Sequence, residues 1–169
     1  MPAELNIPTR LETPKGLRIH IGLFGRRNAG KSSLINALTN QQIAIVSDVP
    51  GTTTDPVEKA CELAPVGPVV FIDTAGIDDV GKLGHLRTDR TMSVLGWMDL
   101  ALIVCDAAGI TDYEKELFRI VTANKTPAIV VLNKTDLHAP EAPVISTIKS
   151  FNLPFVSVSA SEHIGIDTL

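Results

Sequence analysis

From Arg18 onward the chain alternates two textures: Val- and Ile-rich runs of four to seven residues, and longer stretches with apolar residues at helical spacing. The runs at 19–24, 57–63, 69–73, 100–106, 128–133 and 155–159 read as strands, and 31–39, 86–95, 111–122 and 144–150 read as helices. Near-continuous apolar strands that alternate with helices call for a mostly parallel sheet, because each parallel pair needs a long crossover and a helix supplies it. One junction breaks this rule. The link Ala64-Pro65-Val66-Gly67-Pro68 is too short for a crossover, so 57–63 and 69–73 should form an antiparallel hairpin with 57–63 at the sheet edge. The expected fold is α/β, a six-stranded mostly parallel sheet with one antiparallel edge strand and helices on both faces.

At 169 residues, 44% of them hydrophobic, the chain has enough apolar material for one well-cored domain and too little for two. Residues 1–17 show no periodicity and read as a flexible lead-in to a domain over 18–169. Thr111 followed by Glu114 is a capping box that should start the third helix. After the last strand, residues 161–169 read as a loop and the first turn of a helix that then stops; one turn cannot stabilise itself, so a truncated domain is expected. With 15 Lys and Arg against 19 Asp and Glu, no broad basic face is implied and nucleic-acid binding is disfavoured. Cys61 and Cys105 lie far apart in no ligand spacing and read as buried reduced thiols. His20, His85, His138 and His163 are scattered and read as structural or solvated, and Trp97 and Met98 as packing residues. No apolar run approaches membrane-spanning length, so a soluble, cytoplasmic protein without membrane contact is expected.

Chemistry concentrates in three stretches. Gly25-Arg26-Arg27-Asn28-Ala29-Gly30-Lys31-Ser32 has the G-x4-G-K-S spacing of a phosphate-binding loop and lies between a predicted strand and a predicted helix. Chance alone would produce that spacing in roughly one in a few hundred chains of this size, and correct flanks make it rarer. Its glycines let the backbone curl, so that the amides of Asn28, Ala29, Gly30, Lys31, Ser32 and Ser33 turn toward phosphate oxygens. Lys31 should reach the β- and γ-phosphates, and the Ser32 hydroxyl should hold Mg2+. Asp73-Thr74-Ala75-Gly76 follows the hairpin. A lone D-x-x-G is usually a turn, but here Asp73 can meet Mg2+ through water and the Gly76 amide can face a γ-phosphate. Asn133-Lys134-Thr135-Asp136 ends another buried strand. Asp136 can accept from both guanine donors, which adenine lacks; Asn133 can bridge loop and base, and the Lys134 stem can cover a ring face. Ser159-Ala160-Ser161 then offers a backbone amide, that of Ala160, to the guanine carbonyl. Together these stretches select a guanine nucleotide over an adenine one.

The motifs GRRNAGKSS, GTTTD, DTAG, NKTD and SAS, in that order, resemble those of the translation-factor-related P-loop GTPases, which include tRNA-modification and ribosome-assembly enzymes. Within that group, residues 44–57, 67–69 and 77–87 resemble most closely the GTPase domain of the FeFe-hydrogenase maturation GTPases. The stretch Thr52-Thr53-Thr54-Asp55-Pro56-Val57 discriminates, since relatives in RNA metabolism usually carry arginine at the position of Thr54. The resemblance implies a Mg2+-dependent GTP/GDP switch that works with radical-SAM maturases and apo-hydrogenase. It also implies a G-domain homodimer and two further domains absent here, one for dimerisation and one holding an iron-sulfur cluster. Thr53 matches the switch hydroxyl that senses Mg2+ and γ-phosphate, with Thr52 and Thr54 as alternatives. Lys31, Thr53 and Gly76 become the expected catalytic set. Ile77 stands where a water-orienting glutamine would be expected, so slow hydrolysis follows. Asn28 matches an asparagine that helps hold K+ in the tRNA-modification GTPases; the plainer reading is that it supports the loop through backbone hydrogen bonds. Two rivals are a GTPase of tRNA modification or ribosome assembly, and an interaction module that binds GTP with negligible turnover.

Overall fold

The computed structural model describes residues 18–40, 47–49, 57–63, 65–74 and 91–169. In chain order these form β1 (Ile19–Phe24), α1 (Lys31–Asn40), β2 (Ser47–Val49), β3 (Val57–Leu63) and β4 (Gly67–Asp73). They continue with a helical segment over 91–95, β5 (Leu100–Asp106), α2 (Asp112–Ala123), β6 (Ala128–Asn133), α3 (Ala142–Ser150) and β7 (Phe155–Ser157), and end on a 3-10 turn at Ile166–Thr168. The strands make one sheet in the order β2-β3-β4-β1-β5-β6-β7. β1 pairs in parallel with β4 and β5, and β6 in parallel with β5 and β7. β3 runs antiparallel to β4, as the short link dictates.

All six expected strands are present. The sheet is nevertheless seven-stranded, because Ser47–Val49 pairs antiparallel outside β3 and takes the edge position expected for 57–63. Three residues carry too little alternation to register as a strand in a sequence. The last strand is shorter than expected, ending at Ser157, and β4 begins two residues earlier, at Gly67.

Side-chain alternation divides the core into two layers. Ile21 and Leu23 of β1, Val69 and Phe71 of β4, and Leu102 and Val104 of β5 face α1, packing on Leu34, Ile35 and Leu38. The intervening residues Phe24, Val70, Ile72, Ile103 and Cys105 face the opposite layer, where Leu117, Phe118 and Val121 of α2 and Ile148 of α3 cover them. A sheet buried on both faces is why the strands read as continuous apolar runs. Phe118, fully buried, meets Phe151 edge-on with ring centroids 5.4 Å apart. Cys61 and Cys105 are both buried free thiols; burial pushes the Cys61 thiol up to about 11 and Cys105 higher still. Met98 is buried as expected, but Trp97 is 45% exposed and meets the His20 ring edge-on. Among the described residues no helix is long and apolar enough to cross a membrane, and no cluster of three metal-ligating side chains occurs.

Candidate functional site

The carboxyl ends of the parallel strands β1, β4, β5 and β6 bring together the loops that follow them, where an open α/β sheet offers its binding crevice. The turn from β1 into α1 is forced by two glycines. Gly25 has φ +146° and Gly30 φ +98°, and a side chain on Gly25 would collide with the Val104 carbonyl. Gly30 sits as tightly against the Asn133 amide. Asn28 takes φ 63°, a left-handed conformation that asparagine tolerates better than most residues. The loop closes on itself through the Ala29 amide, which donates to the Arg26 carbonyl at 3.2 Å.

Lys31 is buried, and its ammonium donates to the carbonyls of Gly25 and, at 3.2 Å, Arg26. A buried ammonium needs such partners. The Ser32 hydroxyl donates to Asp73 Oδ2 at 3.2 Å, so β4 delivers its terminal carboxylate to the first turn of α1. Two oxygen-bearing side chains at this spacing are the donor type a hard divalent cation takes. Thr74, next to Asp73, is wholly buried; its amide and hydroxyl both donate to the Leu23 carbonyl and fasten the end of β4 to β1.

The NKTD segment is organised by Asn133, which is also buried. Its Nδ2 donates to the Ala29 carbonyl at 3.0 Å, and its Oδ1 accepts the Ala160 amide at 3.0 Å. One side chain therefore ties the phosphate loop to the Ser159-Ala160-Ser161 loop. Ser159, buried, donates from its hydroxyl to Asp136 Oδ1 at 2.5 Å and lies 3.2 Å from the Ser161 hydroxyl. Asp136 itself is exposed, with its carboxylate held in place on one side. The Lys134 ammonium pairs with Asp106 Oδ2 at 2.9 Å. Partial burial pushes the Asp106 carboxyl up, but the Ala108 amide, Lys134 and the His138 charge outweigh it and hold the group below its ordinary value.

Residues 26–28, 30–33 and Lys134 line a cavity of about 480 Å³, and a smaller one of about 180 Å³ adjoins it beside Asp106. That volume lies within the range of small-molecule sites. In a chain of net charge −4, the larger cavity gathers Arg26, Arg27, Lys31 and Lys134, a concentration of positive charge suited to a polyanion.

Every expected site residue within the described part of the chain comes to this one end of the sheet: 28–33, Asp73, Asn133, Lys134, Asp136 and 159–161. Thr53, its alternatives Thr52 and Thr54, Gly76 and Ile77 lie outside the described residues, as do His85 and residues 86–90 of the helix expected over 86–95. Three participants were not singled out from the sequence. Thr74 lies inside the DTAG motif, Asp106 ends an apolar strand as Asp73 does, and the capping role of Glu114 conceals its grip on Arg26. The strand-terminal acid is a signal that would have found Asp106.

The fold and this crevice define a P-loop nucleotide-binding domain. Residues 20–134 match the family described as 50S ribosome-binding GTPase, and the chain belongs to that family. It is 36% identical over 168 aligned positions to GTPase Der of Wolinella succinogenes, covering 94% of this chain and 35% of that protein. It is 42% identical over 152 positions to the tRNA modification GTPase MnmE of Chloroflexus aurantiacus, covering 87% and 32%. Among solved structures, Aquifex aeolicus Era bound to GDP.AlF4- matches with a TM-score of 0.66 at 28% identity, over 88% of this chain and 53% of that one. The chain spans about a third of the length of these curated relatives. It is a GTP-binding GTPase domain.

Proposed function

We propose that this domain is a slow, Mg2+-dependent GTP-hydrolysing switch belonging to a FeFe-hydrogenase maturation factor, coupling nucleotide state to contacts with radical-SAM maturases and apo-hydrogenase. The observation that carries the nucleotide part is the Asn133 bridge, which holds Ala29 and Ala160 at opposite ends of one side chain. It sets the distance between a phosphate cradle and a base pocket. In this reading the loop amides of 28–33 and the Lys31 ammonium take the β- and γ-phosphates, and Lys31 leaves its carbonyl partners to do so. Asp136, steadied by Ser159, accepts from the guanine donors, and the Ala160 amide, turning from Asn133 Oδ1, donates to the ring carbonyl. Ser32 and Asp73 would hold Mg2+, with Thr53 completing the set; when bound, the ion offsets charge on the phosphates. The Gly76 amide would face the γ-phosphate, and Ile77, an apolar residue, would leave the attacking water without a side chain to orient it.

Asn28, exposed at the cavity wall with φ 63°, would offer its amide oxygen to K+, which would supply positive charge where the transition state accumulates negative charge. Hydrolysis should then be faster in potassium than in sodium, and Asn28→Ala should remove the difference while keeping most GTP affinity. Equal rates in the two salts at every protein concentration would return Asn28 to a loop-supporting role.

The hydrogenase client rests on residues 52–57 and on the acidic charge. The match to the family described as 50S ribosome-binding GTPase and the likeness to a tRNA modification GTPase favour a second reading, an RNA-linked client served by the same chemistry. The two separate in a reconstituted maturation assay: the full-length protein should raise activation of apo-hydrogenase in a GTP-dependent way. If it does not, and instead restores tRNA modification to a deficient strain, the second reading replaces the first.

A further inference from the structure

Beside the phosphate loop sits a carboxylate that the guanine, phosphate and metal motifs leave unassigned. Glu114, the third residue of α2, is completely buried. A carboxylate removed from water is tolerated when both oxygens are paired. Its Oε2 accepts the Thr111 amide at 2.8 Å, the carboxylate half of the capping box, and also accepts the Thr111 hydroxyl. Its Oε1 accepts from Arg26 Nε, 88 positions earlier in the chain. A capping box needs only one of these oxygens.

Arg26 is the residue through which the loop is organised. Its carbonyl accepts both the Ala29 amide and the Lys31 ammonium, each at 3.2 Å, and its side chain reaches the walls of both cavities. We propose that Glu114 is a positioning residue for the phosphate loop: it fixes Arg26 and, through Arg26, the curvature that presents the loop amides to a guanine nucleotide, tying phosphate binding to the start of α2. This deepens the nucleotide reading above and rests on it. The geometry explains why a second anchor is useful. When phosphates draw the Lys31 ammonium away, the loop loses the lysine's two carbonyl contacts, whereas the Arg26–Glu114 bond does not involve Lys31 and persists.

The test compares the wild type with Glu114→Gln, Arg26→Ala and the double variant. Glutamine can still close a capping box but carries no charge for Arg26. Each protein is titrated with GDP and, separately, with guanosine, and melted without nucleotide. Loss of one charge-assisted hydrogen bond should weaken GDP binding about tenfold in either single variant. Guanosine affinity should hold, and the double variant should bind GDP no more weakly than the worse single one. Should Glu114→Gln fail to fold, Arg26→Ala, altered at a partly exposed side chain, carries the same GDP-against-guanosine comparison. Additive losses, equal losses for guanosine and GDP, or unchanged GDP affinity in a folded variant would overturn the inference while leaving the nucleotide reading intact. A wild-type protein that fails to bind GDP would overturn both.

Discussion

At the end of β6, Asn133 satisfies both ends of its amide with backbone groups of two other loops, and its link to the Ala29 carbonyl need not move for a ligand to enter. At the end of β1, Lys31 is satisfied by carbonyls of its own loop, contacts it must surrender to reach a phosphate. The first corner is finished in advance, and neutral hydrogen bonds make it so. The second is provisional and charged. Pre-organised polar contacts cost nothing when a ligand arrives, whereas an ammonium that trades carbonyls for phosphates gains only the difference between two good partners. The contrast teaches that the two anchoring side chains should have different signatures: loss of Asn133 should register in the stability of the free protein, and loss of Lys31 in nucleotide binding.

The sharpest way to break this contrast is Lys31→Ala. Charge-assisted hydrogen bonds are worth about 1.5–3 kcal/mol each, so losing them to two phosphates should weaken GTP binding by two to four orders of magnitude on that scale. The melting temperature of the free protein should shift little, since the loop keeps the Ala29 to Arg26 bond. Fluorescent-nucleotide titration and thermal melting read the two quantities, and a large melting shift with modest loss of affinity would reverse the assignment. Next in size is Asp136→Asn. A site built to accept two donors rejects a ligand that cannot supply them by a large factor; GTP affinity should fall roughly a hundredfold or more. Xanthosine nucleotides should gain, because the new amide can donate to their second ring oxygen. Normal GTP affinity in this variant would place the base elsewhere.

How far this division could be read from the chain itself differs between the corners. The phosphate loop was legible because residues 25–32 carry their own geometry: glycines where φ is positive and a lysine at fixed spacing, all within one turn. Asn133 was legible as a bridge between loop and base, and its bond to the Ala29 carbonyl is such a link to the loop, but its hold on the Ala160 amide, 27 positions away, leaves no local trace. The same reason hid the second oxygen of Glu114, because capping Thr111 already accounted for the glutamate. Ser47–Val49 escaped for a different reason, being shorter than one full alternation pattern. The hairpin was found by exclusion, from a link too short to permit anything else.

Asn133→Ala tests the finished corner at a smaller scale of effect. It leaves the Ala29 carbonyl and the Ala160 amide without their partner in a buried place, at about 1–3 kcal/mol for each unsatisfied group. For a domain of this size that is a melting decrease of roughly 5–15 °C in the absence of nucleotide. A variant that melts like the wild type and loses only GTP affinity would make Asn133 a ligand contact and no bolt.

The smallest effect belongs to Asp106, whose carboxyl is held below its ordinary value once burial is outweighed by Ala108, Lys134 and His138. A group with a depressed folded pKa contributes stability that is fully present above its unfolded value, here 3.8, and is lost as pH falls through the lower folded value. Asp106→Asn should therefore cost under about 1 kcal/mol at neutral pH and flatten the loss of stability seen in urea titrations as pH drops below about 4. A variant whose acid limb matches that of the wild type would mean that the Lys134 pair adds nothing beyond proximity.

The Asn133 bridge also carries a consequence for the order in which the domain comes into being. Ala160 follows Ala29 by 131 residues, and synthesis at about 5–20 residues per second separates them by on the order of 10 s. Throughout that interval the β1 loop exists without the strap that fixes it to its final neighbours. The nascent chain thus carries the residues of its phosphate loop before those that recognise the base, and the two sides of the crevice can be fastened to each other only after β7 has been made.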